Sequence, residues 1–518
     1  MYFNDNKGIL TLFHTVRHLK AVQIYHRVYR KNLWAHVHYV PERRPAAGRW
    51  KPAISCNPAR SGPFRFRFLN QEREPQGWND KGIPKLWLYN LHYFDSLDLD
   101  LMQLWVRNNP AGTGNGWEPY PLSRRIVNWI KWERAGGILN QECLESLATQ
   151  AEFMSNSLEY DLLANHLFAN AKALVFAGLF FSGHEPERWL RIGLEILADQ
   201  IDEQVLNDGG HFERSPMYHS LILEDLLDLV NIAQAYPQVP LAGEAYAWRQ
   251  VAGRMLGWLR NMCHPDGRIS FFNDAAFEIA PELETLRHYA QGLGIREHRA
   301  ALGESGYIRL ENNDTVVLFD AAPIGPDYQP GHAHADTLSL EVSHRGRRVL
   351  VNSGTSTYEP GPERTKQRGT AAHNTVAVDG SDQSEVWAAF RVARRARPFD
   401  VRTDHATFAE AAHDGYRRLE KPVIHRRTVE FTDGGLLISD TLQGHGVHDV
   451  GIFFHIHPEA HADLQLDEHL THRSLEQGKW HPEFNVSIPN HLAVGRYHGS
   501  VPISFRCFLA LAAGNTSC

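Results

Sequence analysis

Cysteine is scarce in this chain of 518 residues: five, Cys56, Cys143, Cys263, Cys507 and Cys518, widely scattered and with no CxxC pair. That spacing argues against a disulfide scaffold and a zinc ribbon. No apolar run approaches the ~20 residues needed to cross a bilayer. The first twenty residues lack the charged start, apolar centre and small-residue cleavage site of a secretory leader. The expected location is therefore cytoplasmic for the chain as written, or periplasmic if a leader has been removed. A glycine-rich dinucleotide loop, a P-loop and a GxSxG elbow are all missing, so no nucleotide or flavin is called for. The net charge of −7 lacks the positive excess of a nucleic-acid-coating protein. Cations that meet an acidic substrate would have to gather in one cleft.

Rings are plentiful, with 13 Trp, 17 Tyr and 25 Phe, enough to furnish both a core and sugar-stacking platforms. The length predicts two domains with an N-terminal extension. Leu10 to Lys31 reads as one amphipathic helix, made basic by Arg17, Lys20, Arg27, Arg30 and Lys31. It is expected either to pack on the main body or to dock on a membrane surface or a partner enzyme. A Pro/Arg-rich stretch follows to about Pro75. From Trp87 to Ala300 the apolar period is helical, as in Leu194, Leu197, Ala198, Ile201 and Val205. After Gly306 the period becomes 2, and short strands are separated by turn signals such as Asn312-Asn313-Asp314 and His344-Arg345-Gly346. The expected domains are an extension over 1–85, a helical domain over 86–303 and an antiparallel β-sandwich over 304–518.

Four polar segments interrupt these patterns. Asn165-His166 opens an apolar helix, where burying both is costly unless each is satisfied. It reads as a cap with a core histidine, or as a cleft-facing amide. The loop Asp208-Gly209-Gly210-His211-Phe212-Glu213-Arg214 leads to Ser215-Pro216, a cap and first-turn pair. Tyr218 and His219 then fall near the positive end of the helix dipole, which could favour a tyrosinate. His332-Ala333-His334-Ala335-Asp336, if on a strand, puts two imidazoles and a carboxylate on one face, as a base with its orienter or as metal ligands. Arg364 to Asn374 reads as a solvated basic loop or as a cationic rim for an anionic sugar chain.

The order of these segments resembles the heparinase II/III family. The resemblance rests on Asn165-His166, the Gly209–His219 stretch, Gly331–Asp336 and Ala371–Val376. Asn352-Ser353-Gly354-Thr355 and Trp117-Glu118-Pro119-Tyr120-Pro121 through Asn128-Trp129 add to it. It spans about Trp87 to His457. It implies an incomplete (α/α) toroid followed by an antiparallel β-sandwich, and β-elimination on a uronate-containing polysaccharide.

By the same resemblance, Asn165, with His166 as the alternate, would neutralise the uronate carboxylate. Tyr218 would protonate the departing oxygen, with a further role at C5 as the alternative base, and His332 would help as base. Trp117, Arg125, Glu213, Arg214, His219, Arg364, Arg368 and Asn374 would contact substrate. A structural divalent metal such as zinc would map to His334, Asn352 and His373, with Asn352 standing where Asp is common. No other cofactor is implied. The partner would be an acidic polysaccharide or oligosaccharide, with no nucleic acid and no membrane span. A uronate C5-epimerase and a non-catalytic glycan-binding factor of exopolysaccharide assembly remain as alternatives.

Overall fold

The computed structural model describes residues 6–29, 40–54, 59–96, 98–299, 301–312 and 314–511. Instead of one N-terminal helix there are two, α1 (Asn6–Val16) and α2 (Ala21–Tyr29). The chain turns at 17–20, where the Lys20 N–H donates to the Gln23 side chain (3.0 Å) and caps the second helix. The Arg30 and Lys31 part of the sequence expectation lies outside the described residues. Within the Pro/Arg-rich stretch, three short strands (Arg60–Gly62, Arg65–Phe68, Gln71–Arg73) form a small antiparallel sheet.

The helical domain runs through α3 (Lys85–Tyr93), α4 (Leu99–Asn108), α5 (Pro119–Arg134), α6 (Gln141–Ser155), α7 (Ala164–Phe180), α8 (His184–Gln204), α9 (Pro216–Ala235), α10 (Ala242–Met262) and α11 (Leu283–Gly292). Almost every residue of α7 is buried, because it packs against α5, α6, α8 and α9. Its near-continuous apolar sequence is what a helix surrounded by others requires. Antiparallel helix pairs of this kind make the toroid.

Two antiparallel sheets make the second domain. One contains, in order, His472–Trp480, Ile488–Ser500, Val447–Ile456, Arg347–Leu350, Leu340–His344, Thr315–Asp320 and Tyr307–Asn312. The other contains Pro398–Thr403, Phe408–His413, Val423–Thr432, Gly435–Gly444, Ile503–Ala510 and Asp463–Gln465. Alternation along Val423–Thr432 and Gly435–Gly444 sends Val423, Val429, Leu436, Ile438 and Leu442 into the core between the sheets. The hairpin foreseen at 344–346 is present, with Arg345 at φ 51° and Gly346 at φ 76°, the positive values a tight two-residue turn needs. The architecture is the toroid-plus-sandwich pair.

One local expectation fails. The segment from His332 to Asp336 is a loop, and the following strand begins only at Leu340. No strand alternation therefore aligns these side chains.

Candidate active site

What gathers them is a carboxylate the sequence reading passed over. Asp274 lies in the loop after α10, fully buried between the domains. Its Oδ2 accepts from His332 Nδ1 at 2.9 Å and its Oδ1 from His334 Nε2 at 2.9 Å. The Arg364 guanidinium, from α12 (Pro362–Arg368), grips both oxygens, with Nη2 to Oδ2 at 2.7 Å. Burial pushes the Asp274 carboxyl up, but Arg364 and the two histidine bonds outweigh it and hold it well below the ordinary 3.8. A permanent anion therefore fixes the tautomer of His332. With Nδ1–H given to Asp274, Nε2 carries the lone pair.

The rest of the site comes from the toroid. Ser215 caps α9 by accepting from the Tyr218 N–H (3.2 Å) with Pro216 in the first turn, and this sets Tyr218 beneath His332. The two rings stack 3.7 Å apart, and the Tyr218 hydroxyl lies 3.1 Å from that of Tyr358. Gly209, at φ 89°, lets the preceding loop close on α10, where a Cβ would sit 2.5 Å from the Arg254 carbonyl oxygen. Glu213, from that loop, puts Oε2 3.7 Å from His332 Nε2. Its Oε1 accepts from the Asn165 N–H at 3.4 Å. Before Asn165 the chain passes through two left-handed non-glycine residues, Leu163 (φ 65°) and Ala164 (φ 51°), strain that persists only where surrounding structure enforces it. Asn165 is 6% exposed, and its side-chain amide has no partner among the described residues. Glu213 Oε2 is likewise buried without a hydrogen bond. Glu213 thus links the start of α7, through the Asn165 backbone, to the His332 ring that stacks on Tyr218.

The electrostatics assign resting states. Burial, reinforced by Tyr358 and Asp274, holds the Tyr218 phenol well above its ordinary 10. The helix dipole therefore does not yield a tyrosinate, and Tyr218 rests as a proton donor. Burial raises Glu213, offset in part by His332. His166 turns from Asn165 toward Glu159 (3.0 Å) and packs on Tyr120. Burial would lower it, but Glu159 prevails and keeps it above 6.5.

Several residues expected at the substrate are committed elsewhere. Arg364 and Arg368 are fully buried. The first neutralises Asp274, while the second binds the Ala333 carbonyl (Nη2, 2.9 Å), and burial lowers it to about 9. Neither forms a cationic rim. Arg214 donates to the Ser305 and Phe212 carbonyls at 3.0 and 3.1 Å. Arg125 donates to Gln150 (2.9 Å) and covers Trp105. Trp117 is a core ring whose N–H binds the Asn109 carbonyl at 3.2 Å. His219 binds the Met255 carbonyl (3.0 Å) and stacks on Trp258. Asn374 spans the Leu340 carbonyl and the His455 N–H, at 2.8 and 2.6 Å. Each is a buried side chain held by partners within the protein. The wall that remains open carries Tyr358 and Phe390. Phe390 is 42% exposed and meets the edges of Tyr358 and His332.

Beside the dyad, His334 Nδ1 lies 3.1 Å from His373 Nε2. His334 gives its other N–H to Asp274, and His373 gives Nδ1–H to the Gly369 carbonyl at 2.9 Å. Two lone pairs therefore face each other, an arrangement a cation relieves. The Asp336 carboxylate completes a group within 4.8 Å. The oxygen of Asn352 is already taken by the Ser339 hydroxyl (2.6 Å) and the Asn374 N–H (3.3 Å). The donor set fits a divalent metal such as zinc, with Asp336 rather than Asn352 as third ligand.

Comparison with known proteins agrees with this architecture. A family model described as "Heparinase II/III N-terminus" matches residues 139–294, and one described as "Heparinase II/III-like, C-terminal" matches 294–502. A heparin-sulfate lyase of Pedobacter heparinus is 25% identical over 324 residues, 54% of this chain and 47% of that protein. The chain spans about half the length of such curated relatives. FtsZ-localized protein C of Caulobacter vibrioides is 24% identical over 397 residues, 71% of this chain and 67% of that one. A crystal structure of heparinase III superimposes with a TM-score of 0.64 at 17% identity, over 83% of this chain and 77% of the other.

Proposed function

Since the chain belongs to the heparinase II/III-like family, we propose that it is a polysaccharide lyase that cleaves a uronate-containing acidic glycan by β-elimination. One observation carries this reading: the Asp274-oriented His332 stacks on the protonated Tyr218 and faces Glu213, which in turn holds the backbone of Asn165. The C5 hydrogen of a uronate is weakly acidic, and its removal moves charge onto the adjacent carboxylate. The Asn165 amide donates to that carboxylate and stabilises the enolate-like transition state more than the ground state. Burial raises Glu213 against the opposing pull of His332.

His332 Nε2 takes the C5 proton as the C4–O4 bond breaks and the C4–C5 double bond forms. Tyr218 gives its proton to O4; after the product leaves, His332 releases its proton to solvent and Tyr218 takes one from solvent, so the protons balance. Incubation with alginate, heparan sulfate, hyaluronan and bacterial exopolysaccharides tests the reading. At least one should yield the ultraviolet absorbance of a conjugated unsaturated uronate. An epimerase would exchange the C5 hydrogen with solvent and generate no such absorbance.

His334, Asp336 and His373 would hold such a metal, and its chemistry there would be structural, joining the loops that bear His332 and His373. If it binds, a chelator should lower the melting temperature of the wild type and leave His373→Ala unaffected. A site about a thousandfold above its dissociation constant contributes about 4 kcal/mol. Identical melting with and without chelator would remove the metal.

The N-terminal helices are assigned a second task, docking to an anionic membrane surface. Their outward face carries Ile9, Phe13, Ile24, Tyr25, Val28 and Tyr29, all exposed. The first 31 residues hold Lys7, Arg17, Lys20, Arg27, Arg30 and Lys31 against Asp5 alone. The protein should pellet with vesicles rich in phosphatidylglycerol and not with neutral phosphatidylcholine. Binding to neither would end this assignment.

A further inference from the structure

Among the described side chains of α1 and α2, the two that are buried are polar, Thr15 and Gln23. An amphipathic helix pair that turns its apolar side outward and its polar anchors inward is held by what the anchors grip. Gln23 is fully buried, and its amide nitrogen donates to two carbonyls at once, Leu162 of the toroid and Tyr328 of the sandwich domain, each at 3.4 Å. Around it, the Lys20 ammonium pairs with Glu203 of α8 and sits 3.9 Å over the Tyr328 ring. Arg27 donates to the Asp161 carbonyl at 3.2 Å. Thr15 accepts from the Trp387 indole at 3.1 Å.

Apart from Glu203, these partners lie a few residues in sequence from the site. Leu162 precedes Asn165 by three, Tyr328 precedes His332 by four, and Trp387 precedes Phe390 by three. The helical pair thus ties the toroid to the sandwich domain through segments that adjoin Asn165, His332 and Phe390 in sequence. A helix with its side chains is ~10 Å across, wide enough to occupy the path of a sugar chain. Consistent with a closed end, Asn165 and Glu213 are only 6% and 3% exposed.

We infer that the N-terminal strap ends the cleft, so that this enzyme attacks its polymer from a chain end and does not cut internally. The inference rests on the lyase reading and specifies its mode. It places Gln23 and Lys20 as specificity-determining residues that never touch the reacting atoms.

The experiment follows early products by size. With a polymer that yields ultraviolet absorbance, wild type should release the smallest unsaturated oligosaccharide from the first turnovers. The viscosity of the remaining polymer should barely fall. The double variant Lys20→Ala/Gln23→Ala, which loses ties to both rims, should produce mid-length unsaturated fragments and a faster viscosity drop at similar absorbance per unit time. A single Thr15→Val variant releases only the Trp387 tie and should shift the profile part-way. Mid-length fragments from the wild type at the outset would overturn the inference while leaving the lyase intact. An unchanged profile in the folded double variant would overturn the assignment to the strap. Absorbance from no polymer would remove the lyase reading and this one together.

Discussion

Replacing Tyr218 by Phe is expected to lower kcat by roughly 10²–10⁴-fold, the usual contribution of a positioned general acid, while polymer binding and melting temperature stay near wild type. The hydroxyl removed lies 3.1 Å from that of Tyr358, and the ring that stacks on His332 is retained. Packing therefore survives and only the proton donor is lost. Because burial keeps this phenol protonated, the variant should fail at leaving-group departure. Substrates with a better leaving group at C4 should recover part of the rate. Tyr358→Phe removes only the neighbour and should cost less. Undiminished kcat in Tyr218→Phe would discard the acid assignment.

Asp274→Asn should damage both stability and turnover. It keeps the shape of the side chain but removes the anion on which His332, His334 and Arg364 converge. Breaking a buried ion pair by neutralising one partner costs about 3–5 kcal/mol, here because Arg364 remains charged with no route to solvent. The surviving folded fraction should lose ~10³-fold or more in kcat, since an amide can impose the wrong histidine tautomer.

The pH dependence has a defined sign. A carboxylate whose pKa falls on folding contributes stability that is present above its unfolded value and lost as pH drops through the folded one. Asp274 is depressed, so the stability gap between wild type and Asp274→Asn should be constant from neutrality to about pH 4. It should narrow only in stronger acid. Denaturant titrations across that range measure it, and a gap that closes near neutrality would contradict the ionised state given to Asp274.

The contrast between these two residues shows what the sequence could tell. The change of period near residue 306, the capped start of α9 and the polar interruptions at 165 and 332 were all legible. They mark, respectively, the passage from helices to strands, the Tyr218 that stacks on His332, and the segments that bear Asn165 and His332. Asp274 went unread because it stands in a short loop with no periodicity. The available signal was an Asn273-Asp274 pair inside the apolar run from Ile269 to Phe277, polar groups that can be buried only with partners.

The arginines failed for a related reason. Composition records that Arg364 and Arg368 are charged, but not that a seven-residue helix turns them inward toward Asp274 and the Ala333 carbonyl. His332 and His334 were grouped correctly by a mistaken geometry. They converge through hydrogen bonds to one carboxylate, a tertiary relation that alternation along a strand only imitates.

The most direct test pairs wild type and Tyr218→Phe on a panel of uronate polymers, with ultraviolet absorbance and mass spectrometry of the products. Wild type should form oligosaccharides that carry a C4–C5 double bond, and the folded variant should form almost none. Saturated products from wild type, or equal unsaturated product from both proteins, would contradict elimination by the His332–Tyr218 pair.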